Sequence, residues 1–169
     1  SRIGIADILG SPPPPAIATR QIVRRFRQVP RQILLVTHGV PQMHGVYEGL
    51  ATMTERYIEL FTKDGHNVTV LLTVEKSRFL GEIQARYKTE FGTHVDILPE
   101  IPKIAYGARA MRRSWAIYRY IITKRVFDLV WFFDFEGYAL YTLHGRFNSL
   151  TIGKILVVVS SHGSTRLSR

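Results

Sequence analysis

The sequence contains no cysteine. That absence excludes a disulfide framework, a thiolate zinc site and a cysteine nucleophile, and it suits a reducing compartment. No apolar run approaches the roughly 18 residues needed to cross a bilayer, and residues 1–30 lack the uninterrupted apolar core of a signal peptide. The expectation is a soluble, cytoplasmic chain. Also missing are Gly-x-Gly-x-x-Gly, Gly-x-x-x-x-Gly-Lys-Ser/Thr and His-Glu-x-x-His, so nicotinamide, P-loop and zinc readings lose their main support. No serine-histidine-acid triad can be read from the spacing. Neither a metal nor a cofactor is expected.

Acidic residues are scarce: 13 Asp and Glu stand against 23 Lys and Arg, a formal net charge of +10. Such a surplus attracts anionic partners such as nucleic acid, membrane headgroups or phosphorylated substrates. No acid lies between Asp7 and Glu48, a span that holds Arg20, Arg24, Arg25, Arg27 and Arg31. None lies between Glu100 and Asp128 either, where Lys103, Arg109, Arg112, Arg113, Arg119, Lys124 and Arg125 are interleaved with Tyr106, Met111, Trp115, Tyr118 and Tyr120. Arginine mixed with aromatics on a helix suits the boundary between water and headgroups. Arg109, Arg112, Arg113 and Arg119 therefore form a candidate membrane or anion patch, the plain alternative being a solvated helix face. The strand motifs of base-stacking RNA modules are missing, and no nucleic acid is expected.

At 169 residues, 46% hydrophobic and 21% charged, the chain has the size and composition of one globular domain with an apolar core. Residues 1–30, with Pro12 to Pro15 and a basic stretch from Ile22 to Arg27, form an N-terminal segment or linker. Residues 31–169 form the domain. Ile33–Val36 is the short apolar run of a buried parallel strand. Val46, Leu50, Met53, Tyr57, Ile58 and Phe61 recur at helical spacing between Gly45 and Asp64, and Gly65 supplies a left-handed stop. Strands at Val68–Leu72, Val95–Leu98, Phe127–Phe133 and Lys154–Val159 alternate with helices at Lys76–Phe91, about Gly107–Lys124 and Gly137–Phe147. The Lys154–Val159 run is the most apolar. This alternation predicts an α/β, Rossmann-like, doubly wound parallel sheet with helices on both faces.

In such sheets ligands sit beyond the carboxyl ends of the strands, near the switch in strand order. The loop Thr37 to Gly45 leads into a helix whose first amides can face a phosphate, with Gly45 allowing close approach beside His44. His38 shares that loop. Asp134 and Glu136 follow the fourth strand, where a carboxylate can accept hydrogen bonds from a sugar hydroxyl or transfer a proton; capping the next helix is the alternative. Ser161 and His162 follow the fifth strand among small residues that leave room for a ligand.

Three phrases bear a resemblance: Lys63-Asp64-Gly65-His66-Asn67-Val68-Thr69-Val70, Phe127-Asp128-Leu129-Val130 through Asp134, and Val157-Val158-Val159-Ser160-Ser161-His162-Gly163. In order and interval they resemble the amino-terminal, acceptor-side domain of GT-B retaining glycosyltransferases of the family-four type, over residues 32 to 167. Two positions depart from that pattern: His44 stands where the family has a second glycine, and Phe133 where it often has histidine.

The resemblance implies transfer of a sugar from a UDP- or GDP-linked donor to a glycan or lipid-linked acceptor, with retention, as in polysaccharide biosynthesis. His162 and Asp134 would be catalytic, His44 and Gly45 would form the donor-phosphate loop, and His38, Glu136 and Ser161 would contact acceptor or sugar. The nucleotide-sugar is a substrate, and the leaving phosphate assists the incoming hydroxyl on the same face, so the protein mainly orients and stabilises charge. A second, donor-binding domain is absent from this chain, which alone is expected to be inactive. The expected location is cytoplasmic, peripheral on the inner face of the membrane. The alternative reading is a non-catalytic doubly wound module that binds a phosphate-bearing ligand.

Overall fold

The structure is a computed structural model that describes residues 29–43, 48–74, 79–99, 109–124, 126–134, 137–148 and 152–161. Apart from Val29 and Pro30, the N-terminal segment 1–30 lies outside the described residues. The elements run β1 (Gln32–Thr37), α1 (Glu48–Lys63), β2 (Asn67–Leu72), α2 (Leu80–Phe91), β3 (His94–Ile97), α3 (Arg109–Lys124), β4 (Leu129–Asp134), α4 (Leu140–Phe147) and β5 (Leu156–Ser161).

The five strands form one all-parallel sheet in the order β3-β2-β1-β4-β5. This is the α/β Rossmann-like architecture that the alternating pattern predicts. Because successive strand side chains point to opposite faces, β1 feeds two cores at once. Leu34 and Val36 pack with Ile117, Tyr120 and Ile121 of α3. Ile33 and Leu35 pack with Ile58 and Phe61 of α1 and with Ile83 and Tyr87 of α2. Helices thus cover both faces of the sheet.

The stop after α1 follows from Gly65. Its φ of 83° is open to glycine and strained for other residues, and it lets Gly65 N–H donate to the Thr62 carbonyl and His66 N–H to the Phe61 carbonyl, a pair of hydrogen bonds that closes the helix. His66 is then buried. Its Nδ1 accepts the Arg31 N–H at 3.3 Å, and its ring packs on Phe61. At the same end of the sheet, Asp128 Oδ2 accepts the Gln32 N–H at 2.9 Å. Both residues belong to phrases that carry the family resemblance, and both act here as fasteners at the amino end of the sheet.

Several boundaries differ from the expected ones. β4 starts at Leu129, two residues later than expected, with the Asp128 N–H donating to the Gln32 carbonyl at 2.9 Å just before it. β5 starts at Leu156 and extends through Ser161, since Ile155 N–H donates to Ile152 in a turn and only Leu156 N–H joins the ladder, on Asp128. The run read as the most apolar strand is an edge strand, with Leu156 and Val159 exposed.

Candidate functional site

The strand order reverses between β1 and β4, and that switch point is where a crevice opens at the carboxyl end of such a sheet. Register decides what meets there. Thr37 pairs with Leu72, so His38 continues level with Thr73; Val36 pairs with Phe132, so His38 also continues level with Asp134; and Asp134 pairs with Ser161. Four strand ends therefore carry one row in the order Thr73, His38, Asp134, Ser161.

Three buried threonines hold the β1 side of this row. Thr37 and Thr54 face each other at 3.0 Å between hydroxyls, and Thr54 also reaches the Leu50 carbonyl at 2.9 Å, which pins α1 to the end of β1. Thr73 donates its N–H to the Thr37 carbonyl at 2.9 Å, and its hydroxyl lies 3.2 Å from the same carbonyl. That hydroxyl is also 3.4 Å from His38 Nδ1. With the Thr73 proton directed to the carbonyl, its oxygen accepts from Nδ1–H of His38. In that tautomer Nε2 is the acceptor nitrogen of the ring. Sequence reasoning missed Thr37 and Thr73, although each sits at the end of an apolar run, after Val36 and after Leu72.

On the β4 side the backbone is fixed and the following turn is shaped by glycine. Phe133 is buried in the core, Trp131 Nε1 donates to Ser160 Oγ at 2.9 Å, and Gly137 turns the chain at φ 69°. Asp134 and Ser161 are described through their backbones, while His44, Gly45, Glu136 and His162 lie outside the described residues. Among the sequence-predicted residues, the structure brings together His38 and the strand positions of Asp134 and Ser161. A separate depression of about 480 Å³, lined by Gln42, Phe79, Glu82, Ile83 and Arg86, lies between the loop after β1 and α2. None of the row lines it, and Arg86 is engaged there with Glu55 at 3.0 Å and Glu90 at 2.9 Å.

The basic patch divides. Arg109 and Arg119 are exposed and Arg112 is partly so, but Arg113 is only 5% exposed. Arg113 is therefore a correction to the predicted patch: it lies on the Ile117 and Tyr120 side of α3, where Nη1 donates to Tyr138 Oη at 3.0 Å. Ser114 completes the clasp, donating to the Tyr138 carbonyl at 2.9 Å and accepting the Tyr141 N–H at 3.0 Å. This clasp fixes the turn at residues 137–139.

Among the described residues no three His, Asp or Glu side chains gather as metal ligands. No helix among them is long and apolar enough to cross a membrane. Comparison of the chain with protein-family models, curated proteins and solved structures finds no match.

Proposed function

We propose that the chain is the acceptor-side half of a GT-B retaining glycosyltransferase, moving a sugar from a nucleotide-sugar to a glycan or lipid-linked acceptor. The observation that supports this most is the row Thr73, His38, Asp134, Ser161 across the switch point. The sequence puts histidine, aspartate, serine and threonine at these four strand-end positions, residue types suited to a ligand rich in hydroxyls. In this reading His38 and Ser161 bind sugar hydroxyls, and Asp134 orients the acceptor. His162, one residue beyond β5, stands by the reacting sugar, and His44 and Gly45 approach the donor phosphate. Most donor contacts come from a second domain in the two-domain architecture.

One observation favours the alternative, a non-catalytic module for a phosphate-bearing ligand. His66 and Asp128, central to two of the three resembling phrases, hold the sheet together, a task common to doubly wound folds. Turnover separates the two readings. The test is transfer by the native protein in full, offered UDP- and GDP-sugars with membrane extract as acceptor, for wild type, His162→Ala and Asp134→Asn. Transfer that collapses in folded variants supports the transferase. Absence of transfer from every donor, with phosphate-ligand binding retained, establishes the module instead.

A further inference from the structure

We propose that the outer face formed jointly by α3 and α4 docks on an anionic membrane surface. The inference stands apart from the transferase reading, because it rests on a different part of the molecule.

The two helices lie side by side with little between them. Trp115 of α3 meets Tyr141 of α4 edge-on at 5.4 Å between ring centres. One turn further along, a Cβ on Gly145 would come within 2.7 Å of the Tyr118 ring, so glycine is what lets α4 approach α3. Their outward sides therefore form one surface. On α3 this surface carries Met111 and Trp115, and on α4 it carries Leu140 and Phe147, all four among the exposed large apolar residues and Phe147 at 80%. Leu140, His144 and Phe147 follow the i, i+4, i+7 spacing of a helix stripe, so their exposure is a coherent face.

Charge selects the occupant. Neither helix contains an Asp or Glu, and Arg112 and Arg119 flank Trp115 on the same side of α3. Other nearby cations are committed elsewhere: Arg113 is buried against Tyr138, Arg146 donates to the Ile155 carbonyl, and Lys124 lies 4.0 Å from Asp96. Apolar and aromatic side chains flanked by two arginines, with no acid on either helix, match the layered chemistry of an anionic bilayer surface. An RNA would be met by the arginines but would gain little from the aliphatic Met111 and Leu140, and a protein partner would need acids to face the same arginines.

The experiment is sedimentation of the full chain with vesicles of phosphatidylcholine alone and of phosphatidylcholine mixed with phosphatidylglycerol. Binding is expected only to the anionic vesicles and to weaken with added salt. Arg119→Glu, which changes two units of charge at the surface, lowers it on the order of 25-fold. The pair Trp115→Ser and Phe147→Ser lowers it by about tenfold or more at unchanged charge. Arg56→Glu on α1, an equal change of charge on the other side of the sheet, leaves it within about twofold, and circular dichroism confirms that each variant is folded. The proposal is overturned if Arg56→Glu weakens binding as much as Arg119→Glu, or if the two serine substitutions have no effect, since the net charge alone would then account for binding. It is equally overturned if neither vesicle type binds or if both bind alike, self-association or RNA binding by the face then being its use instead.

Discussion

The hydroxyl of Thr73 stands 3.4 Å from Nδ1 of His38 and 3.2 Å from the carbonyl of Thr37, so one threonine on β2's exit fixes the ring that leaves β1. This contact favours the tautomer with the proton on Nδ1. It also joins the first two positions of the strand-end row.

Thr73→Val tests that link. The Thr37 carbonyl keeps the backbone N–H of residue 73, so stability is expected to fall by only about 1 kcal/mol. The His38 ring, however, loses this contact at Nδ1, and its balance of neutral tautomers should shift. Nitrogen chemical shifts of the imidazole report this directly, and an unchanged tautomer in Thr73→Val would show that Thr73 does not orient the ring.

Arg113 and Arg119 are expected to part company in stability. Arg113→Ala removes a buried guanidinium and leaves Tyr138 Oη without that donor, a loss of about 2–4 kcal/mol. Arg119→Ala, on the exposed side of the same helix, should stay within about 0.5 kcal/mol. Urea denaturation of the two variants measures the difference, and equal effects would contradict the division of the basic patch.

That division was partly legible in the sequence. Arg113 lies four residues before Ile117 and seven before Tyr120, which is helix spacing for one face, so the periodicity that marks the core also marks Arg113 as turned inward. A count of charges along the segment does not carry that information. The strand and helix order was legible because most apolar runs have Gly, Pro or Asn close to at least one end. The edge position of β5 was not: an uninterrupted run from Ile155 to Val159 reads as buried on both faces, and only the pairing order places it at the margin. The strand-end row also required the register, because residues 73, 38, 134 and 161 are scattered along the chain.

His66 should make stability depend on pH. Burial, aided by the positive charge of Arg31 and opposed by Asp64, holds its pKa below the ordinary 6.5. Protonation would also break the bond from Arg31 N–H to Nδ1. The unfolded chain therefore takes up the proton first. The contribution is fully present above about pH 6.5 and is lost as pH falls through the lowered folded value. His66→Gln should flatten the slope of unfolding free energy against pH in that window. A slope identical to wild type would remove His66 from the account.

Two glycines in helices should respond oppositely. Gly145→Leu drives a side chain into Tyr118 and should cost about 1–3 kcal/mol while separating α4 from α3. Gly49→Ala in the first turn of α1, where nothing lies within 4 Å of the added Cβ, should gain a few tenths up to about 1 kcal/mol. Thermal melts of the two variants give the signs, and stabilisation by Gly145→Leu would contradict the close approach of the helices.

The most direct measurement is an amide-resolved NMR titration of the chain with UDP- and GDP-sugars and with glycan acceptors, carried to millimolar concentration. The account predicts shifts centred on Thr37, His38, Thr73, Asp134 and Ser161 at the carboxyl ends of β1, β2, β4 and β5. Shifts confined to the depression at Gln42 and Arg86, or none with any of these ligands, would contradict the assignment of the site to the switch point.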